Sequence, residues 1–230
     1  MDNAEISKKE RTNRYIITAI SVILYQALFF MIERMQLSYT IIYHPLDDLI
    51  PFNEYFVIPY MIWFAYLFFA LLLFIRNANR SDFNFFSALL FGGMTLCLMI
   101  NILFPSMVDL RPLRFERDNI FVYLVKFIHK MDTPTNVCPS IHVYATLIAH
   151  MSISKLTELG KDKRVRLLSG IVSIAIILST VFLKQHSIID LFAGLAMGKI
   201  CFDIGIKIRD AHFEEMRPLF KKGIGRFGRL

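Results

Sequence analysis

Long apolar runs separated by short polar segments make up most of the sequence. A helix needs roughly 20 apolar residues to cross a bilayer, and five runs approach that length: residues 15–33, 54–75, 84–105, 166–183 and 187–206. A further run, the fourth of six along the chain, covers residues 140–156 and carries His142 and His150. Because of these polar side chains, we expect it to face neighbouring helices rather than lipid. The pattern predicts an all-α membrane protein, a bundle of six transmembrane helices.

The segment between the third and fourth runs contains one further helical pattern. Residues 119–130 are apolar on most faces and carry charges near their end, which is typical of a helix that lies in the membrane interface, here on the external side. Pro134 and Pro139 then discourage helix until the fourth run begins. Because no internal repeat or linker divides the chain, we expect a single domain over residues 1–230, with its core at about residues 50–205.

The composition also indicates a membrane protein. Hydrophobic residues make up 55% of the chain and the mean hydropathy is +0.49, which is too high for an ordinary soluble domain. The three cysteines are too scattered for a disulfide framework or a zinc site, and we expect Cys138 to serve in packing. The net charge of +7 comes from basic residues at the ends of the apolar runs, which favours the lipid bilayer and not nucleic acid as the partner.

The distribution of Lys and Arg predicts the orientation of the chain, because cytoplasmic loops are enriched in both. The N-terminal segment, the second and fourth loops and the C-terminal tail are basic, whereas the first loop carries Asp47, Asp48 and Glu54. We therefore expect both termini to lie in the cytoplasm and the protein to be a multi-pass protein of the cell membrane. The third loop is then extracytoplasmic although it carries Arg111 and other cations, which an anionic ligand would explain.

The densest group of titratable residues lies between the last two runs, over residues 184–190. His186 and Asp190 are four residues apart, so a helix that starts near Ser187 places them within reach of a carboxylate–imidazole hydrogen bond. Such a bond fixes the tautomer and leaves the other ring nitrogen as a nucleophile or base. Lys184 adds positive charge nearby. The same spacing also fits a helix cap beside a snorkelling lysine.

A second group lies at the start of the fourth run, at the same outer surface. Ser140 and His142 open this helix, and the unpaired N–H groups of a helix start suit an anion. Arg111 follows the third run, and a guanidinium can bind two phosphate oxygens at once. Together these groups have the parts for metal-free phosphoryl transfer. We expect His186 to attack phosphorus, Asp190 to orient it, and His142 to act first as general acid and then as base.

The expected phosphate-binding residues are Arg111, Lys184 and Ser140. No cofactor is expected and no metal. A transporter is disfavoured because the ionisable groups cluster at one surface instead of near the midplane. A metal-dependent hydrolase is disfavoured because metal sites gather more carboxylates or cysteines, whereas the surplus charge at this surface is positive. Homodimerisation is left open.

Three separated motifs resemble the signature of the type-2 phosphatidate phosphatase superfamily, the lipid phosphate phosphatases. They are Arg111-Pro112, the segment from Pro139 to His142, and the segment from Ser179 to Asp190. The resemblance covers roughly residues 50 to 205. It implies a six-helix membrane bundle, a phosphohistidine intermediate without a metal requirement, and lipid phosphates or diphosphates as substrates. It also implies the same roles for the two histidines and the aspartate.

Three positions depart from the pattern of that superfamily. Phe104 stands where the first motif usually has Lys, Ile141 where the second usually has Gly, and Thr180 where the third usually has Arg. Two phosphate-binding cations are thus missing from their usual places, and Lys184 is the candidate substitute for one. Similar altered motifs occur in the branch that resembles inositol phosphorylceramide and sphingomyelin synthases, which pass the phosphohistidine to an alcohol. We therefore expect a lipid phosphatase of the extracytoplasmic face, with a lipid phosphotransferase as the alternative.

Overall fold

The computed structural model describes residues 6–35 and 37–227, except for the side chains of residues 212–227. Nine α-helices and two short strands make up this part of the chain. The helices are α1 (Lys8–Glu33), α2 (Leu46–Leu49), α3 (Val57–Asn77), α4 (Arg80–Ser87), α5 (Gly93–Leu103), α6 (Ile120–Met131), α7 (Ile141–Leu156), α8 (Lys163–Phe182) and α9 (Ile188–Phe227), and the strands are β1 (Thr40–Ile41) and β2 (Ser106–Met107). The basic side chains predicted for the tail beyond residue 216 lie outside this description.

Four helical stretches are long and apolar enough to cross a membrane. They are Lys8–Glu33, Glu54–Asn77, Arg80–Leu103 and Lys163–Phe182, and they coincide with four of the six predicted runs. The chain is thus an all-helical protein with the features of a membrane protein. The predicted fourth and sixth spans correspond to α7, which has 16 residues, and to the first part of α9, which continues well past the predicted end at residue 206.

Helix α7 is the centre of the bundle. It packs against α3, α5, α8 and α9, and side chains on every face of it are buried, including Val143, Tyr144, Ile148 and Ala149. At 1.5 Å per residue its 16 residues span roughly 24 Å, less than the thickness of a bilayer core. Because its neighbours enclose it, α7 can be both shorter and more polar than the lipid-facing helices.

The third apolar run is interrupted by one turn of π-helix, Ala88–Gly92, between α4 and α5. A π turn frees backbone groups from the regular helical ladder. The hydroxyl of Tyr144 on α7 donates to the Leu89 carbonyl at 2.8 Å. Gly93 makes this contact possible, because a Cβ atom there would lie 1.7 Å from the Tyr144 hydroxyl oxygen. The irregular turn thus fits α5 against the central helix.

The two strands are the one departure from the predicted all-α class among the described residues. β1 and β2 pair in parallel, with Thr40 opposite Ser106 and Ile41 opposite Met107. Met107 also forms a bridge with Thr135. Loop backbone that is buried between helices must still satisfy its N–H and C=O groups, and these short pairings do so. They hold the first and third loops together above the helices.

Helix α6 lies where the sequence predicts an interfacial helix. Its N-cap Asn119 accepts the N–H of Val122 at 2.9 Å. Val122, Val125 and Ile128 are buried, whereas Tyr123 and Phe127 are exposed. The helix itself is confirmed, and its position in a membrane interface stays a prediction.

Candidate active site

A cavity of about 330 Å³ lies at the end of the bundle that carries the first and third loops. Helices α1, α3 and α6, the start of α7 and the turn between α8 and α9 line it. His142 and His186 are both among the lining residues. Two histidines that are 44 positions apart in sequence therefore meet at one wall of this cavity.

His186 and Asp190 lie close together, as their spacing predicts, but the expected hydrogen bond between them is not formed. The Nδ1 atom of His186 lies 3.4 Å from the Oδ2 atom of Asp190, without the geometry of a hydrogen bond. The Asp190 carboxylate is fully buried. With Nδ1 turned towards the carboxylate, Nε2 is the ring nitrogen left to react.

Hydrogen bonds at the start of α9 hold the Asp190 carboxylate in place. The Ser187 N–H donates to Oδ2 of Asp190 at 2.9 Å, and the Ile189 N–H donates to the Ser187 hydroxyl at 3.2 Å, so these two side chains cap the start of α9. Asp47, from α2 in the first loop, accepts the Ser187 hydroxyl at 2.6 Å and the Ile188 N–H at 2.8 Å. The predicted cap is therefore present, and the carboxylate that forms it is the group that lies beside His186.

His142 lies between aromatic rings at the first turn of α7. Its ring centroid is 4.7 Å from that of Tyr60 and 4.4 Å from that of Trp63, both on α3. The His142 and His186 rings are 5.9 Å apart and roughly perpendicular. A phosphorus atom bound between them would be within reach of both rings, so one imidazole could attack while the other transfers a proton.

Ser140 is buried, and its hydroxyl accepts the Val143 N–H at 3.4 Å, which makes it the N-cap of α7. Its own N–H donates to the Asp190 carbonyl at 3.2 Å. A Cβ atom added to Gly194 would lie 2.8 Å from the Ser140 carbonyl oxygen, so the starts of α7 and α9 touch. Ser140 is thus committed to joining the two helices that carry the histidines.

Arg111 is bound to α6 and to the residue before His186. Its guanidinium donates to the carbonyls of His129 at 2.9 Å and Asp132 at 2.6 Å, and to Oε1 of Gln185. Its Nε atom is buried and has no hydrogen-bond partner among the described residues. Burial lowers the pKa of Arg111, and burial together with the Arg111 charge lowers the pKa of His129 to about 4. Arg111 is thus bonded to Gln185, the residue before His186, and its positive charge lies close to the histidine pair.

Lys184 points in another direction. It has a positive φ of 57°, and its ammonium group donates to the Asp47 carbonyl in the first loop. Burial lowers its pKa. It is not among the residues that line the cavity. The structure therefore brings together His142, His186 and Asp190, with Arg111 behind them, and leaves Lys184 holding the first loop.

Positions 104 and 180, where the superfamily usually has phosphate-binding cations, carry Phe and Thr in this chain. The Phe104 side chain is 71% exposed, and the Thr180 hydroxyl donates to the Ile177 carbonyl at 2.7 Å inside α8. Of the described residues that line the cavity, none is Lys or Arg. Two buried donors do line it without a partner, Trp63 Nε1 and Gln185 Nε2.

Sequence reasoning did not identify Gln185, Trp63, Asn136, Glu33 or Asp132 as site residues, although all five line the cavity. Gln185 adjoins His186, and Asp132 and Asn136 lie in the turn before Pro139. Their proximity to motif residues is the only signal in the sequence. Glu33 and Trp63 lie on helices far away in the chain, and no spacing rule links them to the site.

Cys138 and His150 are not among the residues that line the cavity. Burial and the nearby Asp190 carboxylate raise the pKa of the Cys138 thiol to about 12, so it is unreactive at neutral pH. The Nδ1 atom of His150 on α7 lies 2.9 Å from the Ser169 hydroxyl on α8, which confirms a hydrogen bond between helices. Among the described residues, no group of three or more His, Cys, Asp and Glu side chains is arranged to hold a metal ion.

The comparisons with known proteins give no match: no protein-family model fits the chain, and neither the curated proteins nor the solved structures contain a significantly similar one. The chemistry of the site is therefore argued from its residues.

Proposed function

We propose that the chain is a membrane enzyme that removes the phosphate group of a lipid phosphate or diphosphate through a phosphohistidine at His186. The observation that carries the proposal is the meeting of the His142 and His186 rings at one cavity wall, 5.9 Å apart, with the Asp190 carboxylate 3.4 Å from Nδ1 of His186. This arrangement has a nucleophile, an orienting carboxylate and a proton donor in the order that phosphoryl transfer needs.

In the first step, Nε2 of His186 attacks phosphorus and the bond from phosphorus to the lipid oxygen breaks. His142 gives a proton to the departing alkoxide, or to the departing lipid phosphate when the substrate is a diphosphate. Asp190 stabilises the positive charge that develops on the His186 ring. Arg111 and the N–H groups of Gln185 and Trp63 offset the charge on the phosphoryl oxygens.

In the second step, a water molecule attacks the phosphohistidine. His142, now neutral, accepts a proton from that water, the phosphorus–nitrogen bond breaks, and inorganic phosphate leaves. His186 and His142 return to their starting protonation states. His142 thus serves as acid and then as base.

The cavity supports a lipid as the substrate because its outer side is apolar and open. Phe30 on α1, Met61 and Phe64 on α3, and Phe127 on α6 line it, and each is between 45% and 62% exposed. In a six-span arrangement, with α7 and α9 crossing the membrane beside the four apolar helices, this side faces the acyl chains. A lipid tail can then lie between α1, α3 and α6 while its phosphate reaches the histidines at the extracytoplasmic face.

The test is phosphate release by the detergent-solubilised protein from phosphatidate and from a prenyl diphosphate, in excess chelator. We expect release by the wild type, and loss of more than about a hundredfold in His186→Ala and in His142→Ala. His150→Ala is the matched control, because it lies two turns along α7 and is bonded to α8. Release that survives in His186→Ala, or that disappears with chelator, would contradict the proposal.

A second candidate is a phosphotransferase that passes the phosphoryl group to a lipid alcohol. Positions 104 and 180 carry Phe and Thr in place of the usual cations, and the carboxylates of Glu33 and Asp132 line the cavity. Both features favour this candidate. The same assay separates the two reactions. A chain that releases no phosphate into water, but forms a new phospholipid when ceramide or diacylglycerol is added, is a transferase.

A further inference from the structure

A second cavity, of about 270 Å³, lies between the first turns of α1 and α4. Lys9 and Arg14 of α1 and Arg80 of α4 are among its lining residues. Glu33, at the other end of α1, lines the cavity that holds the two histidines. At 1.5 Å per residue, Arg14 and Glu33 are roughly 28 Å apart along the helix, close to the thickness of a bilayer core. The two cavities therefore lie at opposite ends of the bundle.

Arg14 lines this second cavity although it is charged and only 3% exposed. Its guanidinium donates to the Ala78 carbonyl, just past the end of α3, at 2.6 Å and to the Glu10 carboxylate at 2.6 Å. Its Nε atom is buried and has no hydrogen-bond partner among the described residues. Buried donors are rarely left without an acceptor, which points to a ligand oxygen at this cavity.

The other two cations at the cavity have no carboxylate partner. Lys9 and Arg80 are exposed and form no ion pair among the described residues. The nearby carboxylates are already engaged, Glu10 within the cavity and Asp82 with Arg209 at 2.9 Å. Three basic residues and one acidic residue line the cavity, which leaves a net charge of +2. Like charges held around one cavity repel each other, and a bound anion would relieve this repulsion.

One side of the cavity is apolar and open to lipid. Ile17 on α1 lines it and is 51% exposed, and the ring of Phe83 on α4 lies 5.0 Å from the Arg14 guanidinium carbon. Of the four long apolar stretches, the one in α1 is the least covered by protein, with 11% of its window buried against 33% to 39% in the others. A phospholipid can therefore place its acyl chains along α1 and its headgroup in the cavity.

We propose that this cavity binds the headgroup of an anionic phospholipid, held by Lys9 and Arg80 with Arg14 behind them. Cytoplasmic leaflets are rich in anionic lipids, and basic pockets between transmembrane helices on that side bind their headgroups. The distribution of Lys and Arg along the chain predicts that the start of α1 lies on that side. The inference does not depend on the proposed function, because the cavity lies at the opposite end of the bundle from His186.

Quenching of a single tryptophan can locate the lipid, because position 17 lies at the cavity and is already half exposed. The reporter is Ile17→Trp combined with Trp63→Phe, which removes the only native tryptophan. The protein is reconstituted into vesicles of equal parts dioleoyl phosphatidylglycerol and dioleoyl phosphatidylcholine, with brominated chains on one lipid or on the other. Bromine quenches an adjacent indole, so the two sets of vesicles give the relative binding constant of the two lipids at position 17. Ile23→Trp, further along α1 and outside the cavity, gives the reference value.

We expect phosphatidylglycerol to be preferred about tenfold at position 17 and at most about twofold at position 23. Lys9→Gln combined with Arg80→Gln should abolish this difference, because both charges are removed from exposed side chains. Each single variant should lose part of it, which keeps the test valid if the double variant does not fold. Lys163→Gln combined with Arg164→Gln is the matched control. It removes the same charge from two exposed residues at the start of α8, at the same end of the bundle, and should keep the preference.

Equal preference at positions 17 and 23 would overturn the site. A preference that persists without Lys9 and Arg80, or that falls equally in the control, would also overturn it. Inorganic phosphate, compared with sodium chloride of equal ionic strength, should leave the preference unchanged, and displacement of the lipid by phosphate would show a site for a soluble anion instead. Because the readout is lipid contact far from the histidines, these results stand apart from any result on phosphoryl transfer.

Discussion

Asp190 links three parts of the site through a single residue. Its carboxylate lies beside His186 and accepts the Ser187 N–H, and its backbone carbonyl accepts the Ser140 N–H at 3.2 Å. The starts of α7 and α9 are thus fixed to each other through the residue whose carboxylate also lies beside His186. Asp190 serves both the packing of the two helices and the proposed chemistry at His186. A conservative substitution that keeps the packing and removes the charge is therefore informative.

Asp190→Asn should leave the protein folded and lower the rate of phosphoryl transfer by about a hundredfold to ten-thousandfold, with little change in KM. An amide oxygen can still accept the Ser187 N–H, but it cannot stabilise a charged imidazole. The measurement is kcat and KM for lipid phosphate turnover beside a thermal unfolding curve. Asp203→Asn, at an exposed ion pair on the same helix, is the control. An unchanged kcat would exclude Asp190 from the chemistry.

At this scale the sequence is informative where side-chain positions follow from helical spacing. His186 and Asp190 lie on one helical turn, and Ser140 and His142 open another, so their proximity could be predicted. The direction of Lys184 could not, because it lies in a turn with positive φ and a turn residue follows no periodicity. The amides of Gln185 and Asn136 could not be assigned either, since nothing in the sequence shows that their partners are absent.

Among the elements, α7 and the irregular helix opposite it depend on each other. The π turn at Ala88–Gly92 presents the Leu89 carbonyl to Tyr144, and Gly93 leaves room for the Tyr144 ring. Helix α7 carries His142 two residues before Tyr144. The contact therefore fixes the position of the helix that carries His142.

Gly93→Ala should destabilise the protein by about 3 kcal/mol, because the new methyl group would overlap the Tyr144 ring and break its hydrogen bond to Leu89. The measurement is the unfolding midpoint in detergent. Gly92→Ala is a matched control in the adjacent position, where an added Cβ meets nothing within 4 Å. It should be neutral or slightly stabilising, because Ala favours helix over Gly. Equal effects of the two substitutions would refute the packing argument.

Apolar run length predicts three of the four long apolar helices within four residues at each end, because the bilayer dictates both the length and the composition of a span. It also predicts the end of α1, which begins seven residues before the predicted start at residue 15. It describes α7 less well, since a helix enclosed by protein need not be apolar or long. The pairing of β1 with β2 and the π turn had no recognisable signal. Both arise from satisfying backbone groups between distant segments, and a pattern within one element does not encode such partners.

The whole molecule is proposed to cross the membrane six times, with α7 and α9 as the two spans that run length alone does not establish. This arrangement puts the third loop and the connection between α7 and α8 on opposite sides. Leu113, in the third loop, is fully exposed, and Leu159, between α7 and α8, is half exposed. Both positions are therefore accessible to a labelling reagent.

In a chain whose native cysteines are replaced by alanine, Leu113→Cys should react with an impermeant maleimide added outside intact cells. Leu159→Cys should react only after the membrane is permeabilised. The measurement is the fraction of each variant labelled before and after permeabilisation. If both positions react from the same side, α7 does not cross the membrane and the six-span arrangement is wrong.

The cavity belongs to the molecule as a whole, and its lining could not be predicted from the sequence. Glu33 on α1, Trp63 on α3 and Asp132 after α6 come together only because three helices pack around the start of α7. Each is unremarkable in its own segment. The motifs thus led to a proposed reaction type, whereas the lining of the cavity required the packed structure.

The central claim is that His186 carries the phosphoryl group, and the most direct test is to trap that intermediate. The wild type and His142→Ala proteins are mixed with phosphatidate or a prenyl diphosphate that carries radiolabelled phosphate, and are then quenched rapidly in base, in which phosphohistidine is stable. The account predicts an acid-labile label on a peptide that contains His186, and none on His186→Ala. A label on another residue, or turnover by His186→Ala without a trapped label, would contradict it.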